Sequence, residues 1–233
     1  MSLVRRNATV AIVGAGDHIG AAIAHRFAAE GHTIVSGRRT ADKLTPLVTS
    51  IAATGGRCIP QTLDARQEDQ ITAFITHADC IAPLELCTFN VDGNVQFSLL
   101  DSTERVFRRV WERACYGGFL TGREAARAML PRGRGSIFFT GATVSLRGSI
   151  GYVAFASAKA GLRATAQSMA RELGPRNIHV AHLVIDAGVD TEFVRARIAA
   201  SNRPERLTEP DRLLNPSSIG ETYWHLHLQT RYD

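Results

Sequence analysis

Apolar positions along the chain switch between short β-branched runs and longer stretches in which they recur every three or four residues. Residues 10–13 form the first run, short enough for a strand buried on both faces. Ile19, Ile23 and Phe27 then recur at helical spacing with Ala at most positions between them, and Gly31 stops the helix. Residues 33–36 predict a second strand that ends on Gly37, Arg38 and Arg39. Residues 41–54 predict a helix ended by Gly55 and Gly56. Residues 58–63 predict a third strand running into Asp64. A helix over 68–78 places Ile71, Phe74 and Ile75 on one face, and a fourth strand over 84–89 ends in Asn90-Val91-Asp92-Gly93.

The second half repeats the alternation. After a loop over 92–100, Asp101 or Ser102 can cap a long helix to Met129, closed by Pro131 and Gly133. Gly117 and Gly118 weaken that helix, which predicts close packing or a neighbouring backbone there. A fifth strand follows over 136–140. A helix over 151–173 carries small residues on every side, as suits burial or contact with a partner subunit. Residues 178–185 predict a sixth strand, 191–200 a short helix, 204–214 a polar irregular segment, and 216–228 a last helix. Strands alternating with helices predict an α/β fold: one doubly wound, mainly parallel sheet with helices on both faces. No internal repeat, low-complexity tract or linker divides residues 1–233, so a single domain is expected.

The turn after the first strand holds Gly14, Gly16 and Gly20. Glycine there tolerates positive φ and lets the backbone approach a pyrophosphate closely. The free N–H groups at the helix start, near Ile19 and Gly20, would face the anion. A glycine turn set between two strands is the layout of a dinucleotide site; the other reading is a purely structural tight turn. No Asp or Glu ends the second strand, where an NAD site places its ribose-binding acid. Arg38 and Arg39 instead offer guanidinium forks that suit a 2′-phosphate, which favours NADP (NADPH) over NAD; a solvated basic loop is the alternative.

The 233 residues are 45% hydrophobic, enough to fill a core. The net charge of +5 is dispersed, apart from a short cluster over 132–134, so nucleic acid is not an expected partner. Cys58, Cys80, Cys87 and Cys115 follow neither a disulfide framework nor metal-ligand spacing. They read as buried thiols of a reducing compartment, and no metal is expected. No long apolar stretch follows the first seven residues and no run is long enough to span a bilayer, so no signal peptide and no membrane partner are expected, and the location is expected to be cytoplasmic.

With these features in order, the chain resembles the short-chain dehydrogenase/reductases over nearly its whole length. The resemblance rests on the glycine turn, on Asp64, on Asn90 to Gly93, on Lys159, and on Ala187-Gly188-Val189-x-Thr191. It implies the Rossmann-type fold and a nicotinamide cofactor. The family's turn is Gly-x-x-x-Gly-x-Gly; Gly14 and Gly20 match its ends, His18 stands at its middle glycine, and Gly16 supplies flexibility nearby. His18 could aim its ring at a phosphate, or lie exposed at a helix start. The resemblance implies that Asp64, with Ala65 beside it, meets the adenine. It implies that Asn90, Val91 and Gly93 line the adenosine, and that Gly188, Val189 and Thr191 meet the nicotinamide.

The catalytic half departs from the pattern. The family places a Tyr four residues before a Lys on one helix, so that the ammonium lowers the phenol pKa and the Tyr passes a proton to the carbonyl oxygen. Lys159 is present, and the resemblance gives its ammonium a second task, donating to the nicotinamide ribose hydroxyls. The Tyr position is Phe155, the Ser position is Ala142, and the Asn position is Cys115. Tyr152, seven residues before Lys159, is a candidate substitute donor, although the two Cα atoms would lie roughly 10 Å apart on a helix. Its other reading is a packing or pocket tyrosine. Thr143 could hold a carbonyl oxygen or merely cap the loop, and Tyr116 reads as core.

The expected function is therefore an NADP-dependent oxidoreductase acting on a small carbonyl or alcohol with a non-standard proton donor. The alternative is a non-catalytic NADP-binding protein of regulatory or structural role. The segment from Glu192 to Leu214 corresponds to the family's substrate lid. Arg195, Arg197 and Arg203 could take an acidic substrate there, or face solvent. Family members usually add a seventh strand after the last helix; only residues 229–233 remain here, so six strands are expected, with at most a short substitute. Assembly as a homodimer or homotetramer is expected through the helices around 101–129 and 151–173.

Overall fold

A computed structural model describes residues 6–209 and 212–229 of the chain. Six strands, β1 (Thr9–Val13), β2 (Thr33–Arg38), β3 (Arg57–Thr62), β4 (Leu84–Phe89), β5 (Gly135–Ala142) and β6 (Ile178–Ile185), form one parallel sheet in the order β3-β2-β1-β4-β5-β6. Val10 pairs with Ile34 on one side and Leu86 on the other, and Phe138 pairs with Ala181. The strand order reverses between β1 and β4. Such a reversal opens a crevice at the carboxyl ends of the strands.

Helices α1 (Ile19–Ala29), α2 (Thr45–Ala53) and α8 (Pro216–Leu228) cover one face of the sheet. Their core joins Ile12, Phe27, Ile34, Phe138 and Tyr223. Helices α3 (Glu68–Ile81), α5 (Gly117–Met129) and α6 (Val153–Leu173) cover the other face around Val35, Phe89, Leu120, Phe139 and Leu162. Each of these large side chains contributes roughly 1.5–3 kcal/mol by leaving water. Tyr223 is fully buried, and its hydroxyl is satisfied by Thr140 Oγ1 at 2.6 Å.

The observed elements follow the hydrophobic pattern closely, with instructive exceptions. The single helix expected over 41–54 is a 3₁₀ turn (Ala41–Leu44) followed by α2, because Pro46 at the start of α2 supplies no N–H to extend the helix backwards. Thr103, rather than Asp101 or Ser102, caps α4 (Glu104–Trp111), its Oγ1 accepting from Val106 N at 3.3 Å. One wide π turn (Glu112–Tyr116) joins α4 to α5. Gly117 and Gly118 face the close neighbours their presence predicted: a Cβ on Gly117 would stand 2.8 Å from the Ala65 carbonyl oxygen, and one on Gly118 would overlap Leu162. The helix expected from residue 151 begins at Val153, because Gly151 has φ +81° and lies in the preceding turn.

After β6, Gly188–Val189 (β7) pairs in parallel with Leu213–Leu214 (β8), and α7 (Glu192–Ala199) stands between them. This two-stranded sheet lies partly in the segment expected to be irregular. Among the described residues β6 is an edge strand of the main sheet; the short terminal substitute weighed from sequence falls mostly on residues 230–233, outside the described residues. All four cysteines are free; Cys87 and Cys115 are buried as expected, whereas Cys58 is half-buried and Cys80 exposed.

Candidate active site

At the carboxyl ends of β1, β2 and β4 the backbone itself builds a cradle. Gly14 has φ +88°, and a Cβ there would stand 2.8 Å from the Asn90 carbonyl carbon. Asn90 Nδ2 donates to Gly14 O at 3.0 Å, and Asn90 N donates to Val13 O at 2.8 Å. These bonds pin the glycine turn to the end of β4. Gly16 faces open space. No side chain caps α1, and the N–H groups of Ile19 and Gly20 have no protein acceptor among the described residues.

A cavity of about 920 Å³ runs from this turn to α6. Gly14, Gly16, His18, Ile19, Arg38 and Arg39 line it at one end. Asp64, Ala65, Asn90 and Val91 line its middle, and Lys159, Gly188, Val189 and Thr191 its other end. Two expected lining residues are absent from its wall. Gly20 lies against the Ala15 backbone, and Gly93 packs on Val110 and Ala114.

The charged groups at the cradle are more engaged than their residue types suggest. Arg38 donates to Asp17 Oδ1 at 2.6 Å, and this contact holds the Asp17 carboxyl below the usual carboxylate range. Arg39 is exposed and makes no ion pair among the described residues. Asp64 is gripped by the Arg66 guanidinium, which likewise lowers its pKa. Arg113, on the π turn, donates to Asp92 O at 2.8 Å and lines the cavity; burial lowers its pKa. Thr191 lines the wall while its Oγ1 accepts from Val194 N at 3.1 Å, capping α7.

At the other end Lys159 is 3% exposed, and burial lowers its pKa. Its ammonium donates to Thr140 O at 2.8 Å and Val91 O at 3.3 Å, leaving one N–H for another acceptor. The Phe155 ring, 5% exposed, lies with its centroid 5.9 Å from Lys159 Nζ. Ala142 lines the wall as well, whereas Cys115 is buried against α6, its sulfur 2.8 Å from where a Cβ on Gly161 would be.

Neither substitute hydroxyl reaches the lining. Thr143 Oγ1 turns away to donate to Asp186 Oδ1 at 2.6 Å. Tyr152 sits in the turn before α6; Arg197 Nη2 donates to its hydroxyl at 2.8 Å, and the hydroxyl donates to Gln96 Oε1 at 3.3 Å. Arg197 and Gln96 do line the cavity, so Tyr152 contacts it through them. Of the lid arginines, Arg195 is paired with Asp190 and Arg203 with Glu205, and only Arg197 faces inward. Phe193 on α7 is 73% exposed at the mouth. Tyr116 is half-buried rather than core and stacks between Trp111 and Phe119.

Asp17, Arg66, Gln96 and Arg113 were not expected from sequence. Asp17 carried a usable signal, since it lies inside the glycine turn; the others are placed by loop and π-turn geometry alone.

Comparison with known proteins agrees with the fold. Residues 8–202 match the family model described as short chain dehydrogenase. A crystal structure of a short-chain dehydrogenase from Rhodopseudomonas palustris is 53% identical, with a TM-score of 0.84 over 98% of this chain and 95% of that one. The peroxisomal 2,4-dienoyl-CoA reductase of Mus musculus is 29% identical over 84% of this chain and 68% of its own length. An actinorhodin polyketide ketoreductase solved with NADPH is 22% identical and has a TM-score of 0.87 over 96% and 92% of the two chains, a likeness of fold. The chain belongs to the short chain dehydrogenase family.

Proposed function

We propose that this chain is an NADP-dependent oxidoreductase that reduces a small carbonyl compound, or oxidises the corresponding alcohol, without the family's tyrosine acid. The observation that carries the reading is the continuous cavity from the unpartnered N–H groups at the start of α1 to the buried ammonium of Lys159. A dinucleotide fits such a cradle: the turn's missing side chains admit the pyrophosphate, and the helix start supplies donors to it. Arg39, with Arg38 beside it, would take the 2′-phosphate. Asp17 offsets one of those two charges, so the selectivity over NAD rests mainly on Arg39. The ketoreductase solved with NADPH supports the same choice by analogy of fold.

When bound, NADPH supplies a hydride. The chain's own residues hold and shield the reacting atoms. Lys159 would donate its remaining N–H to the cofactor's ribose and would supply positive charge at that end of the cavity. The Phe155 ring excludes water but has no proton to give. The proton for the carbonyl oxygen would come from the Tyr152 hydroxyl on its release from Gln96, with the Arg197 cation beside the phenolate until solvent reprotonates it. Thr143, bound to Asp186, would need to turn before it could hold a carbonyl oxygen. Assembly as a homodimer or homotetramer would use the face of α4 and α5 that exposes Phe107, Trp111 and Phe119.

A second reading is favoured by one observation: no hydroxyl of Phe155, Ala142 or Cys115 exists to donate, and both substitutes are engaged elsewhere. In that case the chain binds NADP as a regulatory or structural protein. Screening NADPH oxidation against ketones, aldehydes and quinones, beside Lys159→Ala, separates the two. Turnover lost in Lys159→Ala supports the enzyme. Binding of NADPH with no turnover supports the second reading, and absence of binding contradicts both.

A further inference from the structure

At the opposite end of the sheet from the cavity, three residues far apart in sequence converge. His32 immediately precedes β2, Glu85 lies on β4, and His227 lies in the last turn of α8. One ring nitrogen of each histidine and one Glu85 carboxylate oxygen lie within 4.8 Å of one another. The group lies under the rings of Phe27 and Trp224.

The hydrogen bonds around the three make each of them point inward. His32 is 1% exposed, and its Nδ1 lies 3.2 Å from the Phe27 carbonyl oxygen, which can only accept. The proton of His32 therefore belongs on Nδ1. Its Nε2 lone pair is left facing Glu85 Oε2 at 3.3 Å, two acceptors opposed with nothing between them unless a second proton or a cation is shared. Glu85 Oε1 takes Arg134 Nη2 at 2.5 Å, which orients the carboxylate. His227 Nδ1 lies 3.2 Å from Ser136 Oγ. Each of the three thus has an outer partner of the kind that orients metal ligands: a backbone carbonyl, a guanidinium and a hydroxyl.

A proton shared by His32 and Glu85 would satisfy those two residues and leave His227 with only its Ser136 contact and its ring packing. A divalent cation would engage all three. We propose that His32, Glu85 and His227 bind a late first-row divalent metal, Zn²⁺ by donor type. Two imidazoles and one carboxylate suit Zn²⁺ and its neighbours, whereas Mg²⁺ and Ca²⁺ prefer all-oxygen sites. At usual Zn–N and Zn–O lengths neighbouring ligand atoms stand about 3.4 Å apart, so the side chains would close by about an ångström on the ion. A second cavity, about 540 Å³, is lined by Glu85, Ser136, His179 and His227. It leaves room for water or a small anion as the fourth ligand, the arrangement of an open rather than a closed site. Bound there, the ion would tie α8 to the amino ends of β2 and β4. The ligands are separated by 53 and 142 residues, so no local spacing in the chain announces them.

The test uses full-length protein with any affinity tag removed and metal stripped by a chelator, titrated with ZnCl₂ by calorimetry and with CoCl₂ by visible absorption. The expected result is one equivalent of Zn²⁺ per chain and a Co²⁺ spectrum of low coordination number. Affinity should fall by about 100-fold or more in both Glu85→Gln and His227→Ala, with His77→Ala unchanged as a control; even an outer partner is worth 10- to 100-fold. Glu85→Gln keeps the side-chain shape, so its readout survives if His227→Ala folds poorly; circular dichroism and NADPH binding report folding independently. No stoichiometric uptake, or uptake retained in Glu85→Gln, would overturn the proposal and leave His32 and Glu85 as a hydrogen-bonded pair with His227 packed beside them.

Discussion

The two ends of the main cavity are built from different materials. The glycine-turn end is made of backbone: the Gly14 turn locked to Asn90, and the unpaired N–H groups of α1. The α6 end depends on single side-chain atoms. There Phe155 and Ala142 stand where the family resemblance places hydroxyls, while Lys159 keeps its bonds to Thr140 and Val91. A backbone cradle would tolerate the exchange of a middle glycine for His18, because the donors it presents do not belong to a side chain. A side-chain hydroxyl is a different case: where one is replaced, as proposed at Phe155 and Ala142, a donor has to come from another position. Binding and chemistry can thus separate within one cavity.

The sharpest way to break that comparison is to restore the missing atoms. Phe155→Tyr combined with Ala142→Ser should raise carbonyl reduction by about 10²- to 10⁴-fold, the usual worth of a positioned general acid. The new phenol would stand beside Lys159 Nζ, as the Phe155 ring does now. Steady-state NADPH oxidation measures it; an unchanged rate would mean that the altered end already has its own donor.

Next in size is damage to the backbone end. Gly14→Val puts a branched side chain at φ +88° against the Asn90 carbonyl. Strain and overpacking together should cost about 2–5 kcal/mol and abolish NADPH binding. Urea unfolding and calorimetry check the two effects. His18→Ala, by contrast, should leave binding within a few fold if the backbone donors dominate.

Lys159→Ala removes a charged donor from the junction between the two ends. A charged hydrogen bond is worth about 1.5–3 kcal/mol, so NADPH should bind roughly 10- to 100-fold more weakly. Because Lys159 also supports β5 through Thr140 O, thermal unfolding should be followed in parallel.

How much of this was legible in the chain follows the same division. The six strands, their helices and the glycine turn were readable because period and turn chemistry are local. The contact behind Gly117 and Gly118 was readable because two glycines inside a helix need a cause. The fates of Tyr152 and Thr143 were not readable. Gly151 shifts the start of α6 by two residues, and Arg197 on α7 then captures the Tyr152 hydroxyl. Asp186, at the end of β6, captures Thr143. The π turn was hidden because residues 112–116 have no composition that distinguishes it from an ordinary helix. The β7–β8 pair was hidden because two residues on each side are too short for any period to register.

The smallest expected effect concerns pH. His182 stands on β6 against Gly141, and burial, helped by Lys159 and Arg163, pushes its pKa down to about 4. The unfolded chain would protonate it near 6.5, so its stabilising contribution is full above that pH and is lost as pH falls towards 4. His182→Gln should flatten stability between pH 4 and 6.5 by on the order of 1 kcal/mol relative to the native chain, allowing for its partial exposure. Thermal unfolding at stepped pH measures the difference.

The central claim is that the backbone-built end still binds a phosphorylated nicotinamide dinucleotide while the α6 end has lost the usual acid. Calorimetric titration of the native chain with NADPH and with NADH tests it most directly. One equivalent of NADPH per chain is predicted, bound at least about 10-fold more tightly than NADH, with that margin lost in Arg39→Ala. Failure of both dinucleotides to bind would contradict the claim, and tighter binding of NADH would contradict its assignment of Arg39.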